Sequence, residues 1–232
     1  MTILITGAAG FIGNNFCIDF ANKYKNTKII TIDNINNYYS KKIKFNRLKR
    51  LKKYKNIKFF KIDLKNKSNL KKIFKKYKFN EVYNLAAQSF VGTSFRSPLN
   101  TANITGLGTL RILETIRSTN PKIKFYQASS SEMFGDILEK KQKETTPLNP
   151  QSPYAISKVF SHYLTQNYRK SYGLFATSGI LFNHESPLRG EEFVTRKIII
   201  GLVKILKGEI NYFELGNIYA KRDWGYAKEY VE

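Results

Sequence analysis

Short apolar runs alternate along this chain with stretches whose apolar positions recur every three or four residues, as buried strands and half-buried helices do. Strands are expected at Thr2–Thr6 (TILIT), Lys28–Asp33 (KIITID), Lys58–Leu64 (KFFKIDL), Glu81–Ala86 (EVYNLA), Lys122–Ser129, Leu174–Phe182 and, more briefly, Tyr212–Leu215. Helices are expected at Phe11–Tyr24, Leu70–Tyr77, Asn103–Thr119, Tyr154–Tyr172 and Val194–Lys207. The polar, basic stretch Asn34–Leu51 reads as a loop running into a helix. Ser152 is a candidate N-cap for the helix at Tyr154, with Pro153 at its first position. The alternation predicts an α/β fold, a doubly wound parallel sheet with helices on both faces, over residues 1–182. After Asn183 the segment NHESPLRGEEF leaves the sheet, and residues 183–232 read as the beginning of a small C-terminal lobe.

The first turn gives this pattern a chemical meaning. Gly7, Gly10 and Gly13 follow the first strand, and Asp33 closes the second strand. Strand, glycine turn, helix, strand and a carboxylate about 20 residues on make up the Rossmann dinucleotide fingerprint. The glycines permit a tight turn, and the helix start at Phe11 and Ile12 offers amides and a dipole to a pyrophosphate. Asp33 would accept from a ribose 2′-OH and repel a 2′-phosphate, which favours NAD over NADP. Asp63, beside Leu64, is placed to meet an adenine edge, or else to cap the helix that Ser68 and Asn69 precede. Leu85, Ala86, Ala87 and Ser89 end the fourth strand, and the small residues among them let the backbone pass close to a cofactor.

Composition narrows the setting. With 232 residues and 42% hydrophobic content the chain can bury a sizeable core. Its single cysteine, Cys17, excludes an internal disulfide and a cysteine zinc site and suits a reducing, cytoplasmic setting. The N-terminus lacks a basic region ahead of its apolar run, and the run is too short for a membrane span. The net charge is +23, of which Lys41–Lys78 holds 18 Lys or Arg against one acid, Asp63. Such a run can address nucleic acid or an anionic membrane; without an RNA-binding aromatic signature or a zinc finger it is read as a solvated surface, with neither partner expected.

Reactive side chains gather between Gln127 and Lys158. QASSSEMFG, ending the fifth strand, brings Ser130 and Glu132; SPYAISK opens the next helix with Tyr154 and Lys158, four apart and so on one face. An ammonium one turn from a phenol favours the phenolate, which makes Tyr154 a candidate general base. Glu132 is a candidate for a second. Alone, each has a bland reading: a satisfied core tyrosine, a solvated lysine, a capping glutamate.

The glycine spacing and the Y-x-x-x-K pair resemble the extended short-chain dehydrogenase/reductase superfamily. Within it, NLAAQSFV, GTLRILE, FYQASSSEMFG, QKETTPLNPQSPYA, GILFNHESP, FVTRKI and AKRDWGYAKEYV resemble the GDP-mannose 4,6-dehydratase family, over about two thirds of the chain. Residues 1–81, with TGAAGFIG and DNINNYYSKKIKFNRLK, are more similar to nucleotide-sugar epimerases acting on UDP-glucuronate. The resemblance implies oxidation at C4 of a GDP-sugar, loss of water across C5–C6 and return of hydride to C6. In those roles Tyr154 takes the O4 proton, Lys158 lowers the tyrosine pKa and holds the nicotinamide ribose, Ser130 hydrogen-bonds O4, and Glu132 serves C5 and C6. An Asp–Glu pair marks the dTDP-glucose dehydratases, whereas this chain has Ser131–Glu132. The resemblance further places His184 and Arg189 near the cofactor, and Ser89, Asn183, Lys197 and Arg222 near the GDP-sugar. Leu188 stands where the family carries an arginine. The family precedent is NADP, against the NAD reading of Asp33, and lysines such as Lys41 and Lys42 could meet a 2′-phosphate. A homodimer or homotetramer is implied, as is a longer substrate lobe, so the chain reads as shortened at its C-terminus. A 4-epimerase, favoured by residues 1–81 and opposed by Glu132, and an inactive NAD(P)-binding fragment stand as alternatives.

Overall fold

The computed structural model describes residues 1–37, 40–219 and 221–232. Tyr38 and Tyr39, within the expected loop Asn34–Leu51, lie outside the described residues. Strand β1 (Thr2–Thr6) leads through the glycine turn into α1 (Phe11–Lys23), and β2 (Lys28–Asp33) is followed by α2 (Lys41–Leu51). Then come β3 (Ile57–Lys61), α3 (Lys67–Lys76) and β4 (Glu81–Asn84). A helical run follows, made of α4 (Val91–Arg96), α5 (Pro98–Thr101), a π-turn (Ala102–Gly106) and α6 (Leu107–Thr119). β5 (Lys124–Ser130), a 3-10 turn (Ser131–Phe134), α7 (Pro153–Tyr172) and β6 (Ala176–Leu181) complete the sheet. Short strands β7 (Asn183–Glu185) and β8 (Trp224–Tyr226) enclose α8 (Val194–Leu206), and α9 (Ala227–Tyr230) ends the chain.

The sheet is parallel throughout, in the order β3-β2-β1-β4-β5-β6. This is the doubly wound α/β arrangement expected from the alternation. β1 sits centrally, and its unbroken apolar run follows from burial on both faces. Ile3 and Ile5 pack with Cys17, Phe20, Leu48 and Leu51 on the α1–α2 side. Leu4 packs with Leu70, Ile112, Leu113 and Ile116 on the α3–α6 side. The order reverses between β1 and β4, which opens a crevice at their carboxyl ends where ligands of such sheets bind.

Two expectations are corrected. Tyr212–Leu215 is not a strand: Phe213 lies over Gly201 of α8, where a Cβ would stand 2.5 Å from its ring, and Tyr212 is 75% exposed. The strand in this region is β8, which pairs in parallel with β7, Asn183 opposite Trp224. The helix expected at Asn103 begins earlier, through α5 and the π-turn, and α4 is helical where no helix was expected. α7 starts as expected, with Ser152 Oγ accepting from the Ala155 amide at 3.1 Å. α3 is capped by Asn66, whose side chain accepts from Asn69 N at 3.0 Å, and not by Asp63.

Candidate active site

A cleft of about 360 Å³ runs along the carboxyl ends of β2, β1, β4 and β5. At one end the glycine turn forms its floor. Gly7 has φ +75°, and a Cβ there would lie 2.9 Å from the Ala86 backbone. At Gly13 a Cβ would stand 2.3 Å from the Gly7 carbonyl oxygen. No side chain caps α1, so its first amides, at Phe11, Ile12 and Gly13, are left for a ligand in the cleft they line. We expect Gly13→Ala to lower unfolding stability by at least about 2 kcal/mol, because the obstructing atoms are backbone; urea denaturation would measure it.

Asp33 secures this turn. Its Oδ2 accepts from Ala9 N at 3.1 Å and its Oδ1 from Ile35 N at 2.8 Å. Burial pushes the carboxyl above its ordinary range, against the Ile35 amide, the Lys44 charge, the Ala9 amide and the Arg47 charge. Lys44 and Arg47 come from the inner face of α2, and both are buried. Lys44 Nζ donates to the Asn36 carbonyl at 3.1 Å and to its side-chain oxygen. Burial holds the Lys44 ammonium down at about 8, with Asp33 opposing. Arg47 donates to Ala9 O at 2.9 Å and to Leu188 O. Lys41 and Lys42, the lysines singled out from the sequence, are exposed; the cation lining the cleft beside Asp33 is Lys44.

At the other end, β5 and α7 face each other. Tyr154, Lys158, His162 and Gln166 recur every four residues on α7, so they form one stripe. The Ser130 hydroxyl lies beside the Tyr154 phenol and favours its ionised form. Lys158 Nζ donates to Ala128 O at 2.6 Å, and His162 Nδ1 lies 3.0 Å from Ser129 Oγ. Gln166 Nε2 is 2.8 Å from His162 Nε2. Ser130 Oγ also accepts from the Glu132 amide at 3.2 Å, at the start of the 3-10 turn. Burial pushes the Tyr154 phenol up to about 12; its bond with Ser130 lowers it, the Glu132 charge raises it and the Arg189 charge lowers it. The Lys158 ammonium, brought down to about 8 by burial, lies 5.8 Å from the Tyr154 ring centre. Burial is the largest cause at the phenol, and the lysine's ammonium is turned to the Ala128 carbonyl.

The mouth is closed by aromatic and charged groups. Arg189 lies over the rings of Phe11 at 4.4 Å and Phe193 at 3.6 Å, with Glu185 at 3.7 Å. His184 Nδ1 is 2.9 Å from the Phe182 carbonyl, so it donates there and leaves Nε2 as an acceptor; its ring stacks on Tyr230 at 4.2 Å.

The cleft thus gathers Gly7, Gly10, Phe11, Ile12, Gly13, Asp33, Leu64, Leu85, Ala86, Ala87 and Ser89 with Ser130, Glu132, Tyr154, Lys158, Asn183, His184 and Arg189. Three sequence candidates fall outside its lining. Asp63 accepts from Asn34 Nδ2 at 3.1 Å and from Lys65 N at 2.8 Å, so its carboxylate holds a loop. Lys197 is exposed on α8, and Arg222 is exposed with its guanidinium donating to the Lys221 carbonyl. Lys44, Phe90 and Phe193 line the cleft and were not singled out. For Lys44 the signal was its place at the apolar spacing of α2, three before Arg47 and four before Leu48.

Comparison with known proteins agrees with this geometry. The family model for GDP-mannose 4,6 dehydratase matches residues 4–232. The chain is 54% identical over 172 residues to GDP-mannose 4,6-dehydratase of Vibrio cholerae, a match covering 73% of this chain and 46% of the relative. The chain therefore spans about half the length of the curated relatives it matches. Among solved structures it is similar to dTDP-glucose 4,6-dehydratase from Bacillus anthracis in complex with NAD, with TM-score 0.83 and 28% identity, covering 100% of this chain and 69% of that one. UDP-glucuronic acid 4-epimerase from Bacillus cereus shares the fold, with TM-score 0.87 at 24% identity over 100% of this chain and 71% of that one. With a dinucleotide turn, a Tyr–Lys pair and one glutamate on a shared cleft, and a family match over nearly its whole length, the chain belongs to the GDP-mannose 4,6 dehydratase family.

Proposed function

We propose that this chain carries the cofactor-binding and catalytic portion of a nucleotide-sugar 4,6-dehydratase that converts GDP-mannose to GDP-4-keto-6-deoxymannose. The observation that carries this reading is the convergence of Ser130, Glu132, Tyr154 and Lys158 on the cleft floored by the glycine turn. The turn, the open amides of α1 and the small residues Ala86 and Ala87 fit a dinucleotide. A nicotinamide, when bound, supplies hydride uptake from C4 and its return at C6. Tyr154 receives the O4 proton, and Ser130 beside it aligns that oxygen. Taking this proton requires the phenolate, so Arg189 and Lys158 must act against the burial that keeps the phenol neutral. Glu132 then moves the C5 proton and assists departure of the C6 hydroxyl. Residues 183–232 act as part of the substrate lobe, with Asn183 at the cleft and Lys197 and Arg222 reaching the GDP-sugar from outside it.

Incubation with GDP-mannose and catalytic cofactor, followed by mass spectrometry of the sugar, tests the reading. Loss of one water supports it; isomerisation without mass change would assign an epimerase, and cofactor binding without turnover an inactive fragment.

Asp33 favours NAD as the cofactor, since its buried carboxylate faces the ribose end of the cleft; Lys44 beside it would serve a 2′-phosphate. Calorimetric titration should give a tighter Kd for NAD than for NADP, and the reverse order would assign the subsite to Lys44. A homodimer or homotetramer is our reading of the assembly, and sedimentation would measure it.

A further inference from the structure

The basic run takes a definite shape in the fold. Of the 18 Lys and Arg of residues 41–78, all but Lys44 and Arg47 are exposed. They lie on α2, β3 and α3 and on the connections that follow each, and β3 is the edge strand of the sheet, four strands from β5 and the Tyr154 stripe. Among the described residues, one of these exposed cations comes within 4.0 Å of a carboxylate, Lys65 at 3.9 Å from Asp63, and Lys67 acts on Glu114 from farther off. A general bias toward lysine does not account for it, because the rest of the chain has 22 Lys or Arg against 16 acids.

α2 adds a second feature. Its inner face buries Lys44, Arg47, Leu48 and Leu51. Its outer face runs Lys41, Phe45, Lys49 at a spacing of four and continues into Lys52 and Lys53, with Lys42 alongside. Phe45 is 55% exposed at the centre of these cations. An aromatic ring ringed by lysines on a helix lying flat against its domain is the arrangement of an interfacial contact, in which the ring enters the headgroup layer and the lysines meet anionic lipid. Duplex nucleic acid would use the lysines and leave Phe45 without a role. No helix among the described residues is long and apolar enough to cross a membrane, and a contact of this kind needs none.

We infer that the outer face of α2 is a peripheral docking surface for an anionic lipid bilayer. It is independent of the catalytic reading, since Phe45, Lys42 and Lys53 do not line the cleft. The test is sedimentation of the whole chain with phosphatidylcholine vesicles, with and without about one third phosphatidylglycerol, at about 0.1 M salt, a concentration at which charges about 10 Å apart still interact. Binding is expected to the anionic vesicles and to fall with added salt. Lys42→Glu/Lys53→Glu should weaken it by at least about 30-fold, at roughly a factor of five for each lysine lost. Phe45→Ser should weaken it by about 5-fold or more through loss of apolar burial. Failure to bind anionic vesicles, equal binding to neutral ones, or unchanged binding by Phe45→Ser would overturn the proposal. So would tighter binding to a DNA duplex that Phe45→Ser leaves untouched.

Discussion

Glu132→Gln is expected to cut dehydration of GDP-mannose by about 100- to 10,000-fold, the range lost with a positioned acid or base. The change keeps size and hydrogen bonding but removes the ability to carry a proton. The amide of residue 132 still donates to Ser130 Oγ, as at 3.2 Å in the wild type, so the tyrosine's partner stays in place. Cofactor affinity should therefore be unchanged, and exchange of the sugar's C5 hydrogen with solvent should be lost along with dehydration. Ser131 sharpens this expectation, because where a second carboxylate could stand the chain has a hydroxyl. Mass spectrometry in deuterated water reads both quantities. Dehydration at the wild-type rate would remove Glu132 from its role.

Lys158→Met is expected to divide stability from function. The lysine is buried, and burial brings its ammonium from 10.5 to about 8. That difference corresponds to about 3 kcal/mol of unfavourable charge burial at neutral pH. Methionine removes the charge while keeping the length of the stem. The Ala128 carbonyl keeps a donor in Gln127 Nε2 at 2.9 Å, so no buried acceptor is stranded. The variant should be as stable as wild type at pH 7 or more so, while cofactor affinity and turnover fall by about 100-fold or more. The pH dependence separates the causes. Between about 8 and 10.5 the unfolded chain binds more protons at this lysine than the folded one, so wild-type stability rises with pH there, and Lys158→Met should lack that rise. Tyr154 acts oppositely: with its pKa raised from 10.0 to about 12, its contribution is present below pH 10 and is lost as pH climbs through 12. Chemical denaturation across pH 7 to 11, together with cofactor titration, would measure all three.

What was legible in the sequence is what local spacing governs. Gly7, Gly10 and Gly13 must be glycine because backbone passes within van der Waals distance there, and the TILIT run must be a two-sided buried strand. Tyr154 and Lys158 share a face on any helix. These features depend on neighbours a few residues away, and the fold class follows from their repetition. What local spacing does not encode was decided by the packed structure. In a run of 18 cations nothing marks Lys44 and Arg47 until α2 docks on α1 and buries them over Asp33. Asp63 ends a strand on paper but turns to Asn34 across a loop. Tyr212–Leu215 has a strand's composition, yet β7 pairs with Trp224–Tyr226, some 40 residues along the chain, and Phe213 docks on α8 instead.

The sequence by itself thus determined the α/β order, the dinucleotide turn and the identity of four reactive side chains. Tertiary structure alone decided the setting of two of them, because the burial that raises the Tyr154 phenol and lowers the Lys158 ammonium to about 8 arises only when β5 and α7 close on each other.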